Sequence, residues 1–257
     1  MPDRVPAVVL AGAPAEPDMA ERYSVEYRAD IPIAGRTMLR RVVDALAAST
    51  SVEGIYVIGR TDPGGVKMIP PRESLIENLI AGVEAVASDG HVLVVTSDIP
   101  MITDEAITGF IAQCGDMSAD LYYPVIPKDV NDRRFPRMRR TYVRLAEGTF
   151  TGGNAFLLSR RFVTENADVL RETVRVRKQP MTMARIIGIG VLARAVVAKK
   201  MWPGAIGLRQ LERAVGRILK CTVKAVPVPY PELGADVDSM DHVEAVEALL
   251  AAEGESR

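Results

Sequence analysis

The chain has 257 residues, of which 48% are hydrophobic and 25% are charged, and its formal net charge is −1. This composition is that of a folded globular protein and excludes disordered, collagenous and disulfide-rich classes. Because acidic and basic residues balance, we expect neither nucleic acid nor a membrane as a partner. The two cysteines lie far apart and the first residues do not have the pattern of a signal peptide, so we expect a cytoplasmic protein.

The first half of the chain alternates short β-branched runs with amphipathic stretches. In chain order the segments are VPAVVLAG, TMLRRVVDALAAS, GIYVIG, SLIENLIAGVEAVAS, HVLVVTS and DEAITGFIAQC. The strands are continuously apolar, which is typical of a parallel sheet that is covered by helices on both faces. Ligands bind beyond the carboxyl ends of such strands, here just after Leu10, Ile58 and Val95.

After residue 120 the pattern becomes less regular. ADLYYPVI predicts a strand, RTYVRLAEGTF a hairpin and NAFLLS another strand. Three helical stretches follow at 159–168, 180–199 and 207–219, and then a strand, CTVKAVPV, and a closing helix, MDHVEAVEALLAAE. No repeat or linker divides the chain, so we predict a single three-layer α/β/α domain over residues 1–257 with a mostly parallel mixed sheet.

Two groups of acidic residues are candidates for a metal site. Asp98 follows the strand HVLVVTS at its carboxyl end, where a carboxylate could hold Mg²⁺ against the phosphates of a nucleotide or could simply cap a turn. Asp236 and Asp238 are two residues apart and would point the same way in an extended segment. Either of them could complete the site with Asp98, and the spacing does not choose between them.

The order of five segments resembles the MobA-like nucleotidyltransferase superfamily over most of residues 5–250. The segments are VVLAG, IPIAGRTMLRRVVDAL, VVTSDIPMIT, TGGNAFLL and DVDSMDHVEAV. The resemblance implies a Rossmann-like sheet of the GT-A type, an NTP with Mg²⁺, and an acceptor phosphate that attacks the α-phosphorus while pyrophosphate leaves. It implies a nucleotide-binding half at 1–120 and an acceptor-binding half, with the closing helix, at 121–257.

The resemblance also implies which residues bind the nucleotide and the metal. Mg²⁺ would be held by Asp98 with Asp236 or Asp238. The family usually has a glycine-rich first loop with an arginine, but here the loop reads LAGAPAEPDMAERYSVEYRAD, and Arg28 stands where the family has a lysine. We therefore expect Arg28 and Asp98 to be catalytic, with Arg22 as an alternative phosphate ligand. The expected nucleotide-binding residues are Leu10, Ala11, Gly12, Ala13, Asn78 and Ser97.

The acceptor is expected at a glycine pair before a strand. Gly152 and Gly153 precede Asn154, as in family members that hold the acceptor with a backbone turn and an amide. The alternative is that the two glycines merely allow a tight bend of the backbone. Lys178 is a further candidate for a phosphate contact. A local concentration of arginines could grip an anionic acceptor, or it could form a solvated hairpin flank or an oligomer contact. It comprises Arg133, Arg134, Arg137, Arg139, Arg140 and Arg144.

Two other functions stay open at the level of the sequence. The altered first loop is compatible with a nucleotide-binding or sugar-nucleotide-binding protein without turnover. A GT-A glycosyltransferase would share the sheet, but it typically carries a D-x-D pair after a middle strand, where this chain has Ser97 and Asp98. A dinucleotide-binding oxidoreductase is disfavoured because no G-x-G-x-x-G follows the first strand. The sequence selects no base and no acceptor, whether sugar phosphate, molybdopterin or similar, and it is compatible with a homo-oligomer.

Overall fold

A computed structural model describes residues 4–176 and 206–255 of the chain. Its first half confirms the predicted alternation of strands and helices. The elements are β1 (Val5–Leu10), α1 (Pro17–Tyr23), β2 (Pro32–Ile33), β3 (Arg36–Thr37), α2 (Met38–Ala48), β4 (Val52–Ile58), β5 (Lys67–Ile69), α3 (Leu75–Ala85), β6 (His91–Thr96) and α4 (Asp104–Gln113).

The second half adds strands on one side of the sheet and helices around them. The elements are β7 (Leu121–Pro127), α5 (Lys128–Arg134), β8 (Val143–Leu145), β9 (Gly148–Gly152), β10 (Ala155–Ser159), α6 (Arg160–Glu165), α7 (Ala167–Val176), α8 (Leu208–Leu219), β11 (Val223–Pro227) and α9 (Met240–Glu255). The predicted hairpin is β8 and β9, and the predicted strand CTVKAVPV and closing helix are β11 and α9. None of the helices in these described ranges is both long and apolar enough to cross a bilayer.

One mixed sheet of nine strands organises these elements. Its order is β5-β4-β1-β6-β10-β7-β9-β8, and β11 pairs with β7. The pairs β5–β4, β4–β1, β1–β6 and β7–β11 are parallel, whereas β10 is antiparallel to both of its neighbours and β9 is antiparallel to β7 and β8. All strands of this sheet except β9 and β10 therefore run in one direction, which confirms the predicted mostly parallel arrangement, and β2 and β3 form a separate antiparallel pair.

Helices cover both faces of the sheet, as the continuously apolar strands predict. On one face α2 and α4 pack against β1, and Leu39 shares a core with Val9. On the other face α3, α6 and α7 pack, and Ile80 shares a second core with Val8. Because adjacent strand residues point to opposite faces, β1 is buried along its whole length. The fold is therefore the predicted three-layer α/β/α architecture.

In three helices of the first half, a Ser or Thr stands directly before the first helical residue and caps the helix. The side chains of Thr37, Ser74 and Thr103 each accept a hydrogen bond from the backbone N–H three residues ahead, at 3.2, 3.3 and 3.1 Å. Such a cap satisfies one of the N–H groups that a helix start leaves unpaired, and it stabilises a helix by about 1 kcal/mol. These caps fix where α2, α3 and α4 begin, and thus where the loops before them lie.

Several helix predictions for the rest of the chain need correction. The stretch predicted at 159–168 is two helices, α6 and α7, because the chain breaks at Asn166, whose side chain donates to the Phe162 carbonyl at 3.1 Å. The stretch at 207–219 is confirmed as α8, and the one at 180–199 lies outside the described residues. The short helices α1 and α5 and the short strand β5 were not predicted.

Candidate active site

The carboxyl ends of β1 and β6 meet at one edge of the sheet. The Ser97 N–H donates to the Leu10 carbonyl at 3.1 Å, and the Ala11 N–H donates to the Ile58 carbonyl at 2.8 Å. Leu10 and Ala11 are buried in the two cores, so their side chains serve packing, and Ser97 is also buried. Among the residues that we expected in the first-loop pocket, Gly12 and Ala13 are the ones with exposed surface.

The first loop leaves β1, forms α1 and returns to its starting point. The Arg28 N–H donates to the Ala13 carbonyl at 3.0 Å, and Pro14 forms an isolated antiparallel bridge with Tyr27. Met19 of α1 is fully buried and anchors the loop in a third core beside Ile31 and Met38. The loop is therefore a closed, packed excursion that brings Arg28 to the end of β1.

Arg28 and Asp98, the two predicted catalytic residues, are in contact. The Arg28 guanidinium lies 3.1 Å from Asp98 Oδ2 and 2.9 Å from Glu16 Oε1. The Thr96 hydroxyl donates to Asp98 Oδ1 at 2.5 Å, so both carboxylate oxygens have a partner. Arg28 and Asp98 are largely buried, with 15% and 16% of their side chains exposed, whereas Glu16 is 50% exposed. The Asp98 carboxylate is thus held in one orientation.

The C-terminal acidic segment lies directly beside Asp98. The Val237 N–H donates to the Asp98 carbonyl at 2.8 Å, and the Val237 side chain is fully buried. Asp236 forms an ion pair with Arg140, and Asp238 Oδ1 lies 2.8 Å from His242 Nδ1. Asp236 is the less exposed of the two, at 22% against 49% for Asp238. The structure therefore brings both predicted acidic groups to one place.

Gly152, Gly153 and Asn154 join β9 to β10 at the same edge. The Thr96 N–H donates to the Asn154 carbonyl at 3.1 Å, and the Asn154 N–H donates to the Leu233 carbonyl at 2.7 Å. Neither glycine has a positive φ. A Cβ on Gly152 would overlap the Tyr123 hydroxyl, and one on Gly153 would lie 2.7 Å from a ring carbon of a proline. The glycines are therefore needed for close packing, not for a tight bend.

Asn78 stabilises the loop before α3, which faces Gly12. It is 6% exposed, and its Oδ1 accepts a hydrogen bond from the Arg72 N–H at 2.5 Å. A Cβ on Gly12 would lie 3.2 Å from Asn78 Nδ2, so the amide is packed against the glycine backbone. The Ser74 hydroxyl caps α3 by accepting a hydrogen bond from the Glu77 N–H. Asn78 thus fixes the loop before α3 next to the exposed part of the first loop.

The comparisons with known proteins agree with this geometry. A sequence profile described as the MobA-like NTP transferase domain matches residues 7–187. A structure described as a hypothetical transferase from Thermus thermophilus is 37% identical, with a TM-score of 0.81 and coverage of 93% of this chain and 99% of that chain. The chain belongs to the MobA-like NTP transferase family.

Two more distant structures show the same fold as this MobA-like chain. A CMP:2-keto-3-deoxy-manno-octonic acid synthetase complexed with CTP is 16% identical, with a TM-score of 0.59, and the match covers 98% of this chain and 100% of that chain. The 2-C-methyl-D-erythritol 4-phosphate cytidylyltransferase of Thermus thermophilus is 12% identical, with a TM-score of 0.53, and the match covers 96% and 99%. A search of curated proteins found no match.

The arginine-rich segment of the MobA-like chain divides into surface residues and one site residue. On α5, Arg133 pairs with Asp129 at 3.2 Å and Arg134 pairs with Glu232 at 3.3 Å. Three further members are exposed: Arg137, Arg139 and Arg144. Arg140 differs from them because it pairs with Asp236 of the site. Lys178, the other predicted acceptor contact, lies outside the described residues.

The acidic residues of the site fit a magnesium ion that is shared with a substrate. Within residues 4–176 and 206–255, no three acidic, histidine or cysteine side chains are grouped closely enough to form a metal site by themselves. Mg²⁺ usually takes only one or two carboxylates from the protein and completes its shell with water and substrate phosphates. Asp98 with Asp236 or Asp238 would supply that number of carboxylates, and these are the hard oxygen donors that Mg²⁺ prefers.

Proposed function

We propose that this chain is a Mg²⁺-dependent nucleotidyltransferase, which transfers NMP from an NTP to a small phosphorylated acceptor and releases pyrophosphate. One observation carries the proposal: the structure brings Asp98, Arg28 and the segment of Asp236 together at the carboxyl edge of the sheet, through contacts of 2.8 and 3.1 Å. That edge is where α/β sheets bind their ligands. Membership of the NTP transferase family gives the reaction class.

Each side chain has a role that follows from its position. Gly12 and Ala13 present their backbone to the nucleotide, and Asn78 holds the neighbouring loop. The Arg28 guanidinium is placed to bind phosphate oxygens, because its planar fork matches them in two hydrogen bonds. Thr96 fixes Asp98 by a hydrogen bond of 2.5 Å, and such preorganised groups need no rearrangement during the reaction.

Mg²⁺, when bound through Asp98 and Asp236 or Asp238, would neutralise charge on the phosphates of the nucleotide. The chain's own contribution is to orient the carboxylates and to hold the acceptor in line. Phosphoryl-type transfers depend mainly on such positioning and on charge neutralisation, because little covalent assistance from the protein is needed. We place the nucleotide over residues 1–120 and the acceptor over residues 121–257.

The test is pyrophosphate release with CTP, GTP, UTP and ATP, each with Mg²⁺, against a panel of phosphorylated acceptors. We expect turnover with one combination and a loss of about a hundredfold or more in Asp98→Asn. Asp104→Asn is the matched control, because Asp104 is an exposed acidic residue in the first turn of α4. Equal rates in the two variants would overturn the role of Asp98.

A second function is favoured by one observation, the pairing of Arg28 with Glu16. In this arrangement a carboxylate of the first loop occupies the guanidinium that the triphosphate would need, at 2.9 Å. If this pairing persisted with a nucleotide bound through other contacts, the phosphates would lack the Arg28 charge and the chain would bind nucleotide without turnover. It would show a nucleotide-dependent rise in melting temperature without pyrophosphate release from any acceptor.

A further inference from the structure

Arg140 is a largely buried arginine between the two halves of the site. It lies in the irregular segment between α5 and β8, and 12% of its side chain is exposed. One guanidinium nitrogen forms an ion pair with Asp236, and another donates to the Gly152 carbonyl at 3.0 Å. Its buried Nε has no hydrogen-bond partner among the described residues. The guanidinium thus keeps an unused donor inside the site.

The surroundings of Arg140 are acidic. Burial lowers the pKa of its guanidinium, and Tyr123, Asp238, Tyr142 and Asp98 only partly oppose that effect. Arg140 therefore lies within electrostatic range of the carboxylates that we assign to the metal and also touches the backbone of the predicted acceptor segment. We expect the acceptor here because Gly152, which accepts the Arg140 hydrogen bond, belongs to the segment predicted to hold it.

The other arginines of the segment do not share this position. Arg133 and Arg134 are held by acidic residues on or near α5, and Arg139 is exposed. A buried arginine with a neutral backbone partner and one carboxylate can exchange that carboxylate for a substrate anion, since its planar fork suits phosphate and carboxylate alike. The exposed arginines lack such an enclosed setting.

We propose that Arg140 binds the anionic group of the acceptor, a phosphate monoester, and that this anion displaces Asp236 from the guanidinium. The proposal rests on the proposed function and names the residue that receives its acceptor. Gly152 holds the guanidinium in place while the exchange occurs. Asp236, once released, becomes free to join Asp98.

The test is the binding of inorganic phosphate, measured by calorimetry without nucleotide or metal. We expect Arg140→Gln to weaken phosphate binding by about tenfold or more, because it removes a charge-assisted hydrogen bond. Asp236→Asn should strengthen it, because the competing carboxylate is gone. Arg133→Gln, which removes an equal charge from an exposed site, should leave the Kd within about twofold of the wild-type value.

Opposite signs for the Arg140 and Asp236 variants separate ligand binding from a purely structural pair, in which both substitutions would act in the same direction. Weaker binding in Asp236→Asn, or equal effects of Arg140→Gln and Arg133→Gln, would overturn the proposal. So would phosphate binding that is abolished by Arg28→Gln and untouched by Arg140→Gln. Arg140→Lys, which keeps the charge but loses the fork, gives an intermediate Kd if Arg140→Gln fails to fold.

The phosphate-binding experiment and the pyrophosphate-release test of the proposed function have independent outcomes. Phosphate binding at Arg140 requires neither a known NTP nor turnover. Pyrophosphate release without a phosphate site at Arg140 would support the proposed transferase function and overturn only the assignment of Arg140 to the acceptor. Once an acceptor is known, Arg140→Gln should raise its KM and leave the KM of the NTP nearly unchanged.

Discussion

Two arginine–carboxylate pairs lie at the carboxyl edge of the sheet, and they differ in what else holds each arginine. Arg28 bridges Asp98 and Glu16, a side chain that is half exposed. Arg140 bridges Asp236 and the carbonyl of Gly152, a backbone group. An exposed carboxylate can swing away at little cost, since exposed ion pairs contribute about 0 to 1 kcal/mol. We therefore expect a nucleotide to separate Arg28 from Glu16 at little cost, and an acceptor anion to displace only the carboxylate partner of Arg140, because the Gly152 carbonyl also holds that guanidinium.

The largest effect is expected from the loss of the Arg28 guanidinium. Arg28→Gln should lower kcat/KM for the NTP by about a hundredfold, because a charged donor to the phosphates is lost. The matched control is Arg22→Gln. Arg22 is exposed on α1 and stacks over the Tyr23 ring at 5.9 Å, so its loss should change the rate little. A larger loss in Arg22→Gln would assign the phosphates to Arg22.

The next effect concerns the backbone that holds Arg140. Gly152→Ala should lower the free energy of unfolding by about 2 kcal/mol, because the new Cβ would overlap the Tyr123 hydroxyl. Urea denaturation measures it, and Tyr123→Phe in the same chain should recover part of the loss. Gly90→Ala is the control, since its Cβ would have only an ordinary contact with Ser88, at 3.5 Å. Equal losses at the two glycines would show that packing against Tyr123 is not the cause.

A substitution of Thr96 tests whether activity requires the Asp98 carboxylate to be held in one orientation. Thr96→Val removes the hydroxyl that donates to Asp98 at 2.5 Å and keeps the β-branched shape of the strand residue. We expect kcat to fall by about tenfold, since a hydrogen bond to a charged group is lost. Thr96→Ser, which keeps the hydroxyl, should retain most of the rate. A full rate in Thr96→Val would mean that Asp98 is held by Arg28 alone.

The smallest effect is expected at Glu16. Glu16→Gln should bind the NTP about threefold more tightly, because the carboxylate that competes for Arg28 is gone and exposed ion pairs are weak. The measurement is nucleotide titration by calorimetry. Glu21→Gln removes the same charge from an exposed position of α1 and serves as the control. If both variants tighten binding equally, the cause is overall charge and not the pairing with Arg28.

The sequence predicted the parts of the fold that depend on neighbouring residues. The apolar run of β6 and the hydroxyl caps before α2, α3 and α4 are local signals, so the strand and helix alternation and the position of Asp98 could be inferred. The helix α5 was missed because it is short and polar and has no apolar periodicity. Its arginines, Arg133 and Arg134, were therefore left among the alternatives of an acceptor contact, a hairpin flank and an oligomer contact.

Two features of the site depend on contacts between distant parts of the chain. Arg140 is distinguished from its neighbours only by Asp236 and Gly152, which the fold brings to it from two other segments. Likewise, the bridge between Pro14 and Tyr27 and the burial of Met19 place Arg28 at the end of β1. Spacing carries no information on such contacts. The side chains of Leu10 and Ala11 complete the cores, so a contact of these two residues with a nucleotide would have to use their backbone.

The most direct measurement of the central claim follows two labels through the reaction. The chain is incubated with Mg²⁺, the acceptor panel and each NTP, labelled with ³²P at either the α- or the γ-phosphate. Nucleotidyl transfer predicts that the α-label enters the acceptor product and that the γ-label appears in pyrophosphate, both lost in Asp98→Asn. A γ-label in the acceptor or in inorganic phosphate, with the α-label retained in the nucleotide, would contradict the account.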